Sequence, residues 1–385
     1  MYRKALTSLT ILFFMMGFIT CLNDILVPFL KEIFELDYTQ AALVQFCFFA
    51  AYGLTSIPAS RLMEKIGYQK SMVVGFILAS FGCLLFFPAV SFHAYPLFLM
   101  AFFILASGVV ILQVAANPFV SVIGPEETAS SRLTMVQAFN SFGTFLAPFF
   151  GSYFILSKLD VASDASSVKY PYLLIAVVLV LIAIVLARLE FPKVETAHDS
   201  EKRGWMDLLK EANLVMGMIG IFTYVGAEVA IGSFLVNYIV EISPMSETQA
   251  ATYVALYWGG AMAGRFLGIY TLKEFSPGKV LATHSLLAIA LILFSITSKG
   301  MIAVYALILV GFCNSIMFPT IFTLGIKGLD KSAQKASGLL ATSILGGAII
   351  PVATGMMADG VGLRMAFLLP VLCYAYICLF GIKSR

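Results

Sequence analysis

PYLLIAVVLVLIAIVLARLE at 171–190 is followed by FPKVETAHDSEKRGWMDLLKEA at 191–212 and then by NLVMGMIGIFTYVGAEVAIGSFLVNYIV at 213–240. Each flanking run is long enough to cross a bilayer, which takes about 20 predominantly apolar residues. The stretch between them holds Glu190, Pro192, Lys193, Glu195, His198, Asp199, Glu201, Lys202, Arg203 and Lys210 at or near its bounds and is the longest polar interruption in the chain. It reads as a linker between two membrane-embedded halves. Apolar windows at 9–30, 40–61, 71–90, 95–121 and 132–156 precede it along with 171–190. Windows at 249–271, 279–297, 300–324, 334–358 and 363–381 follow 213–240, giving six on each side. The expected organisation is an N-terminal six-helix bundle over 1–190, a cytoplasmic linker over 191–212 and a C-terminal six-helix bundle over 213–385.

The composition agrees. Of 385 residues, 60% are hydrophobic and 12% charged, whereas soluble domains carry roughly a quarter charged residues. Almost no length remains for a soluble domain. A transmembrane β-barrel is excluded, because its strands are segments of about 10 residues that alternate apolar and polar, and these runs do not alternate. The first window follows Arg3 and Lys4 as a signal peptide would, but it is too long, contains Asp24 and lacks a small-residue cleavage site. It reads as a retained first helix, and the fold class as an all-α membrane protein of 12 transmembrane helices.

Orientation follows from the basic residues. With the N-terminus in the cytoplasm, only Lys31, Lys158, Lys169, Lys299 and Arg364 of the 24 Lys and Arg fall on the outer side. This is the positive-inside bias, and it puts both termini on the cytoplasmic face of a bacterial inner membrane. The net charge of +3 therefore describes topology and offers no surface for nucleic acid. Cys21, Cys47, Cys83, Cys313, Cys373 and Cys378 all lie in apolar windows without a CxxC pair, and His93, His198 and His284 are scattered, so no metal site or disulfide is expected. No nucleophile and base converge in the sequence, which argues against an enzyme.

Punctuating residues recur at offsets of 201–204: Arg61 with Arg265, Pro118 with Pro319, Pro148 with Pro351, and Gly151 with Gly355. Such a repeat signals two halves related by an axis along the membrane normal. The 204 offset also takes Asp24 to Glu228, neither of which was used to define it. The two carboxylates are expected on equivalent walls of one central cavity.

Intramembrane polar groups are costly and usually face water, a partner or a ligand. Beside Asp24 stand Asn23, Gln113 and Asn117 four apart, and Gln137 and Asn140 three apart, each pair on one helical face. An amide both donates and accepts, which matches the many hydroxyls of a sugar. The alternative use of such amides is to bond helices together. The second half offers Glu228, Asn237, Asn314, Tyr224, Tyr253, Tyr257 and Trp258, whose aromatic faces suit the C–H side of a pyranose. The Gly- and Pro-containing segments NPF at 117–119, APFFG at 147–151, FPT at 318–320 and GGAIIPVATG at 346–355 allow bends or close helix contacts of the kind a rocking motion requires, and static packing predicts the same composition.

Several longer stretches carry a family resemblance. LQVAANPFVSVIGPEETASSRLTMVQAFNSFG at 112–143, LNDILVPFLK at 22–31, YVGAEVAIGSFLVNYI at 224–239, MFPTIFTLGIKGL at 317–329 and SGLLATSILGGAIIP at 337–351 resemble the fucose/glucose/galactose permease branch of the major facilitator superfamily. The resemblance covers essentially the whole chain and is nearer the glucose/galactose members than the fucose members. It implies a twelve-helix sugar symporter of the major facilitator fold, driven by a cation gradient, with no cofactor. In the fucose branch a first-helix aspartate, here Asp24, works with a fourth-helix glutamate, but that second position is Gln113, which cannot titrate. The two-carboxylate proton relay therefore does not carry over intact. Gln137 and Asn140 match sugar-facing positions of the family's fifth helix. RLMEKIGYQK at 61–70 looks like a degenerate form of the superfamily's cytoplasmic gating loop, and GRFLGIYTLKEFSPGK at 264–279 like its counterpart, with Arg61 and Arg265 either as gate latches or as topology-setting charge.

The reading that emerges is import of one glucose- or galactose-type hexose with one cation by alternating access. Asp24, Asn23, Gln113 and Asn117 are the expected cation-coupling set. Asp24, Gln113, Asn117, Gln137, Asn140, Glu228, Asn237 and Asn314 are the expected sugar ligands. Sodium wants several oxygen ligands including a carboxylate, which Asp24 and nearby amides supply, whereas a proton needs Asp24 alone with a raised pKa. The glutamine at 113 tilts the choice to sodium. The alternatives are a proton-coupled fucose-type symporter and a cation-driven drug exporter of the same fold, whose pocket would be more apolar. The expected partners are a small sugar and the lipid bilayer, with the protein a monomer.

Overall fold

The computed structural model describes residues 2–33, 38–150, 169–192, 203–329 and 332–384, with side chains described from residue 5 except for 22–45, 150, 169–171 and 248. Among the described residues the structure is helical, with no β-strand. The order is α1 (Tyr2–Ile33), α2 (Tyr38–Ser91), α3 (Tyr95–Val122), a 3-10 turn (Glu126–Thr128), α4 (Ala129–Phe150), α5 (Lys169–Arg188), α6 (Trp205–Leu208) and α7 (Ala212–Ile242). There follow α8 (Glu247–Glu274), α9 (Pro277–Thr297), α10 (Met301–Asn314), α11 (Met317–Ile326), α12 (Ala333–Thr342), α13 (Gly346–Val361), α14 (Leu363–Ala366) and α15 (Leu368–Lys383).

Among the described residues the apolar windows coincide with helix, and the differences lie in how the helices are joined or broken. The windows at 40–61 and 71–90 run together as α2, which turns at Gly67 with φ 82° and ψ 171°. That left-handed φ is costly for any residue with a Cβ, so glycine sets the joint. The window at 300–324 is split between α10 and α11, and that at 334–358 between α12 and α13 by a 3-10 turn at Ser343–Leu345. The linker includes one helical turn, α6. At the start of α8 the sequence SETQ forms a capping box: Ser246 Oγ accepts from the Gln249 N–H at 3.3 Å, and Gln249 Oε1 accepts from the Ser246 N–H at 3.1 Å. Two of the four N–H groups that a helix start leaves open are thereby satisfied.

Seven of the described helical spans are long and apolar enough to cross a membrane, with Ala5–Cys21 and Tyr172–Arg188 as shorter apolar helices. Large apolar side chains such as Leu54, Phe92, Val352 and Leu372 stand 64–76% exposed. A water-soluble surface does not tolerate this on such a scale, whereas lipid does. Prolines 58, 88, 118, 148 and 351 sit inside helices, as membrane helices allow when neighbours satisfy the freed carbonyls.

The chain forms two compact units. One comprises 1–123, 139–202 and 331–342, and the other 124–138, 203–330 and 343–385. The start of α4 belongs to the second unit and α12 to the first, two segments that correspond under the repeat, since the 204 offset takes Ala129 to Ala333.

Within the first unit, α1 and α4 meet backbone to backbone. A methyl at Gly17 would overlap the Asn140 carbonyl, and one at Gly143 would overlap that of Phe14. Ser80 Oγ donates to the Ala176 carbonyl at 2.9 Å, tying α2 to α5. α12 is held to α3 by Ser337 Oγ donating to the Val114 carbonyl at 2.8 Å and to α2 by a Lys335–Glu64 ion pair at 3.6 Å. Within the second unit, Tyr238 OH meets Ser295 Oγ at 2.7 Å between α7 and α9, and Ser131 Oγ donates to the Ile269 carbonyl at 2.7 Å, fixing the start of α4 to α8.

Candidate functional site

The polar centre of the second unit is built on four helices. Tyr224 and Glu228 are one turn apart on α7, and Tyr224 OH donates to Glu228 Oε1 at 2.7 Å. From α8, Tyr257 OH donates to the Glu228 main-chain carbonyl at 3.3 Å. From α10, Asn314 Nδ2 donates to Tyr257 OH at 2.8 Å, and from α15, Tyr374 OH donates to Asn314 Oδ1 at 2.7 Å. Arg265 of α8 lies within electrostatic reach of the Glu228 carboxylate. Tyr224, Tyr257, Asn314 and Tyr374 are at most 1% exposed, while Glu228 and Arg265 remain half-buried.

The sequence arranges this in two ways. Pro319 has no N–H, so the Ser315 carbonyl four residues earlier loses its helical donor, and Arg265 Nε takes it at 3.2 Å. The neighbouring Cys313 carbonyl lies 3.1 Å from His284 Nδ1 of α9. The α10–α11 break is thus braced by α8 and α9, which holds Asn314 where both tyrosine hydroxyls reach it.

In the first unit, Gln113 and Asn117 lie on one face of α3, Gln113 half-buried and Asn117 2% exposed. Asn140 of α4 is half-buried, and its Nδ2 donates to the Phe13 carbonyl at 2.9 Å, so its amide fastens α4 to α1. Gln137, one turn before it, falls in the second unit and is half-buried. Asn23 and Asp24 lie on α1, but their side chains are outside the described residues. Asn237 is exposed on α7, nine residues or about 13 Å along the axis from Glu228. Arg61 is exposed on α2.

The structure therefore brings Glu228, Asn314 and Arg265 together and leaves Asn237 apart. Tyr374 was not singled out from sequence: in an apolar window nothing local distinguishes a tyrosine that completes a network from one that anchors a helix end. Of the aromatic set, Tyr253 packs near Tyr305 with ring centroids 6.3 Å apart, and Trp258 lies edge-on to Tyr257 at 5.2 Å, itself 44% exposed.

Residues 8–344 match the Major Facilitator Superfamily model, and the chain belongs to that family of multi-pass membrane transporters, which are not enzymes. It is 50% identical over 389 residues to a glucose/galactose transporter of Brucella abortus, covering 99% of this chain and 94% of that one. It is 47% identical over 394 residues to a putative glucose/galactose transporter of Helicobacter pylori, covering 99% and 96%. Among solved structures it is similar to the Escherichia coli fucose:proton symporter FucP in the outward conformation. The TM-score is 0.93 at 35% identity, covering 100% of this chain and 99% of that one.

Proposed function

We propose that the protein is a cation-coupled hexose symporter that imports glucose- or galactose-type sugars by alternating access. The observation that carries the reading is the full-length 50% identity to a transporter named for those two sugars. The chemistry supports it: hydroxyl-matching amides at Gln113, Asn117, Gln137 and Asn140 and a carboxylate at Glu228 are what a polyol needs, and an apolar drug pocket would not contain them. The proposed sugar ligands are these together with Asp24; of the two remaining residues expected from sequence, Asn237 stands about 13 Å along α7 from Glu228 and Asn314 is enclosed between Tyr257 and Tyr374 behind it. The repeat, with bundles at 1–190 and 213–385 joined by 191–212, and the basic bias favour both termini in the cytoplasm of a bacterial inner membrane.

Coupling is assigned to Asp24 with Asn23, Gln113 and Asn117. A bound cation lowers the cost of burying Asp24 and the carboxylate orders the sugar site, so each ligand raises the other's affinity by the same factor. The untitratable Gln113 favours sodium, and the proton in the name of the fucose relative favours a titrating Asp24. The test is uptake of labelled glucose, galactose and fucose into proteoliposomes under a sodium or a proton gradient, for the wild type and Asp24→Asn. Sodium-driven, Asp24-dependent uptake of glucose or galactose supports the sodium reading, and a proton-only response moves coupling to Asp24 alone. No hexose uptake in any condition overturns the assignment.

A further inference from the structure

Glu228 stands where a carboxylate serves one of three ends in a sugar transporter: carrying the coupling ion, binding sugar, or bracing helices. We infer that it is a fixed sugar-hydroxyl acceptor whose orientation is set by Tyr224 and the Tyr257–Asn314–Tyr374 chain, and that ion coupling does not pass through it. The inference rests on the sugar reading above and assigns three tyrosines a positioning role.

Two observations carry it. First, the four neutral members of the network are sealed, at 0–1% exposure, while Glu228, the residue they converge on, keeps accessible surface. A bracing network would have no reason to leave its charged end open, since a buried polar group is best satisfied completely. A binding group must leave acceptor capacity unused, and Glu228 has it: its Oε1 accepts from Tyr224, and an ionised carboxylate has about four lone-pair sites.

Second, Arg265 of the neighbouring helix α8 lies within electrostatic reach of Glu228. A carboxylate with a resident cation in reach has less need of a transported one to sit within the membrane. Arg265 is itself anchored by its bond to the Ser315 carbonyl, so that cation stays with the protein. Asp24 and Glu228, related by the repeat, then divide the work: coupling on the first half and recognition on the second.

The network also bears on discrimination between epimers. Glucose and galactose differ in the direction of one hydroxyl, and an acceptor distinguishes them only if it cannot swing. Tyr257 fixes the main chain at Glu228 and Tyr224 fixes its carboxylate, while Asn314 and Tyr374 hold Tyr257.

The experiment compares two readouts in proteoliposomes: counterflow exchange of labelled glucose and galactose without an ion gradient, which needs sugar binding alone, and gradient-driven accumulation, which also needs coupling. Glu228→Gln and Tyr224→Phe are expected to raise the counterflow KM about tenfold, the effect of one hydrogen bond to a charged group. The accumulation ratio at saturating sugar should stay as in the wild type. Tyr374→Phe removes one hydroxyl without changing shape, so it is expected to fold, to raise KM about threefold and to narrow the glucose-to-galactose preference. Glu228→Gln with wild-type counterflow but no accumulation would overturn the inference and make Glu228 a coupling group. Unchanged KM and epimer preference in Tyr224→Phe and Tyr374→Phe would overturn it in favour of a brace. Absence of counterflow in the wild type would instead bring down the sugar reading, and this assignment with it.

Discussion

Arg265 Nε donates to the carbonyl oxygen of Ser315 at 3.2 Å, the acceptor that Pro319 deprives of its helical donor. One side chain thus repairs a helix break and lies within electrostatic reach of the Glu228 carboxylate. Arg265→Gln should lower stability by about 2 kcal/mol, the worth of a hydrogen bond to a charged donor. Adding Glu228→Gln should cost less than the sum of the two single changes, because the unpaired carboxylate is then gone. Reversible denaturation of the single and double variants in mixed micelles measures both, and strict additivity would show that the two side chains are not coupled.

The contact of α1 with α4 leaves no room for a methyl at Gly17 or Gly143. Gly17→Ala and Gly143→Ala should each cost about 1–3 kcal/mol by forcing the backbones apart. Gly259, within α8, has nothing within 4 Å of an added Cβ, so Gly259→Ala should be neutral or gain up to about 1 kcal/mol from helix propensity. Thermal unfolding of the three variants separates the two situations.

The amide of Asn140 is committed to the Phe13 carbonyl, and the same residue is a proposed sugar ligand. Asn140→Ala should lose about 0.6 kcal/mol if anchoring is its whole role, typical of an interhelical bond in a membrane protein, and leave the transport KM alone. The same loss of stability together with a several-fold rise in KM is the outcome expected if the amide also meets sugar.

The Lys335–Glu64 pair, at 3.6 Å with side chains 13% and 17% exposed, fastens α12 to α2. It should contribute about 0.5–1 kcal/mol, the upper end for pairs still open to solvent. A double-mutant cycle with Lys335→Gln and Glu64→Gln measures this, and the exchange variant Lys335→Glu with Glu64→Lys should recover most of it.

In the linker, Lys210 Nζ lies 2.9 Å from Asp207 Oδ1. The hydrogen bond from Lys210 and its charge hold the Asp207 carboxyl below its ordinary range, and Asp207 raises the lysine in return. The aspartate contribution is present above its unfolded pKa and fades as pH falls through the lowered folded value. The lysine contribution is present below its unfolded pKa and fades as pH rises through the raised one. Both groups are exposed, so Asp207→Asn should leave unfolding near neutral pH unchanged and remove only an acid-side titration, visible in a carboxyl-resolved pH titration.

Sequence alone carries the helical membrane class, the apolar spans and the repeat at offsets of 201–204, because the bilayer imposes length and apolarity on every crossing segment, and both are local properties. It also marked Glu228, Asn314 and Arg265, since a polar side chain in an apolar window is conspicuous wherever it ends up. Folding adds that Glu228 and Asn314 belong to one network with Arg265 in electrostatic reach, that Tyr374 completes it, and that α12 packs in the first unit while the start of α4 packs in the second. The network across α7, α8, α10 and α15 spans 150 positions from Tyr224 to Tyr374, its interhelical bonds joining residues 29 to 60 apart. No periodicity or spacing in the chain records such pairings, because they depend on which helix faces come together after every crossing segment has already satisfied the membrane.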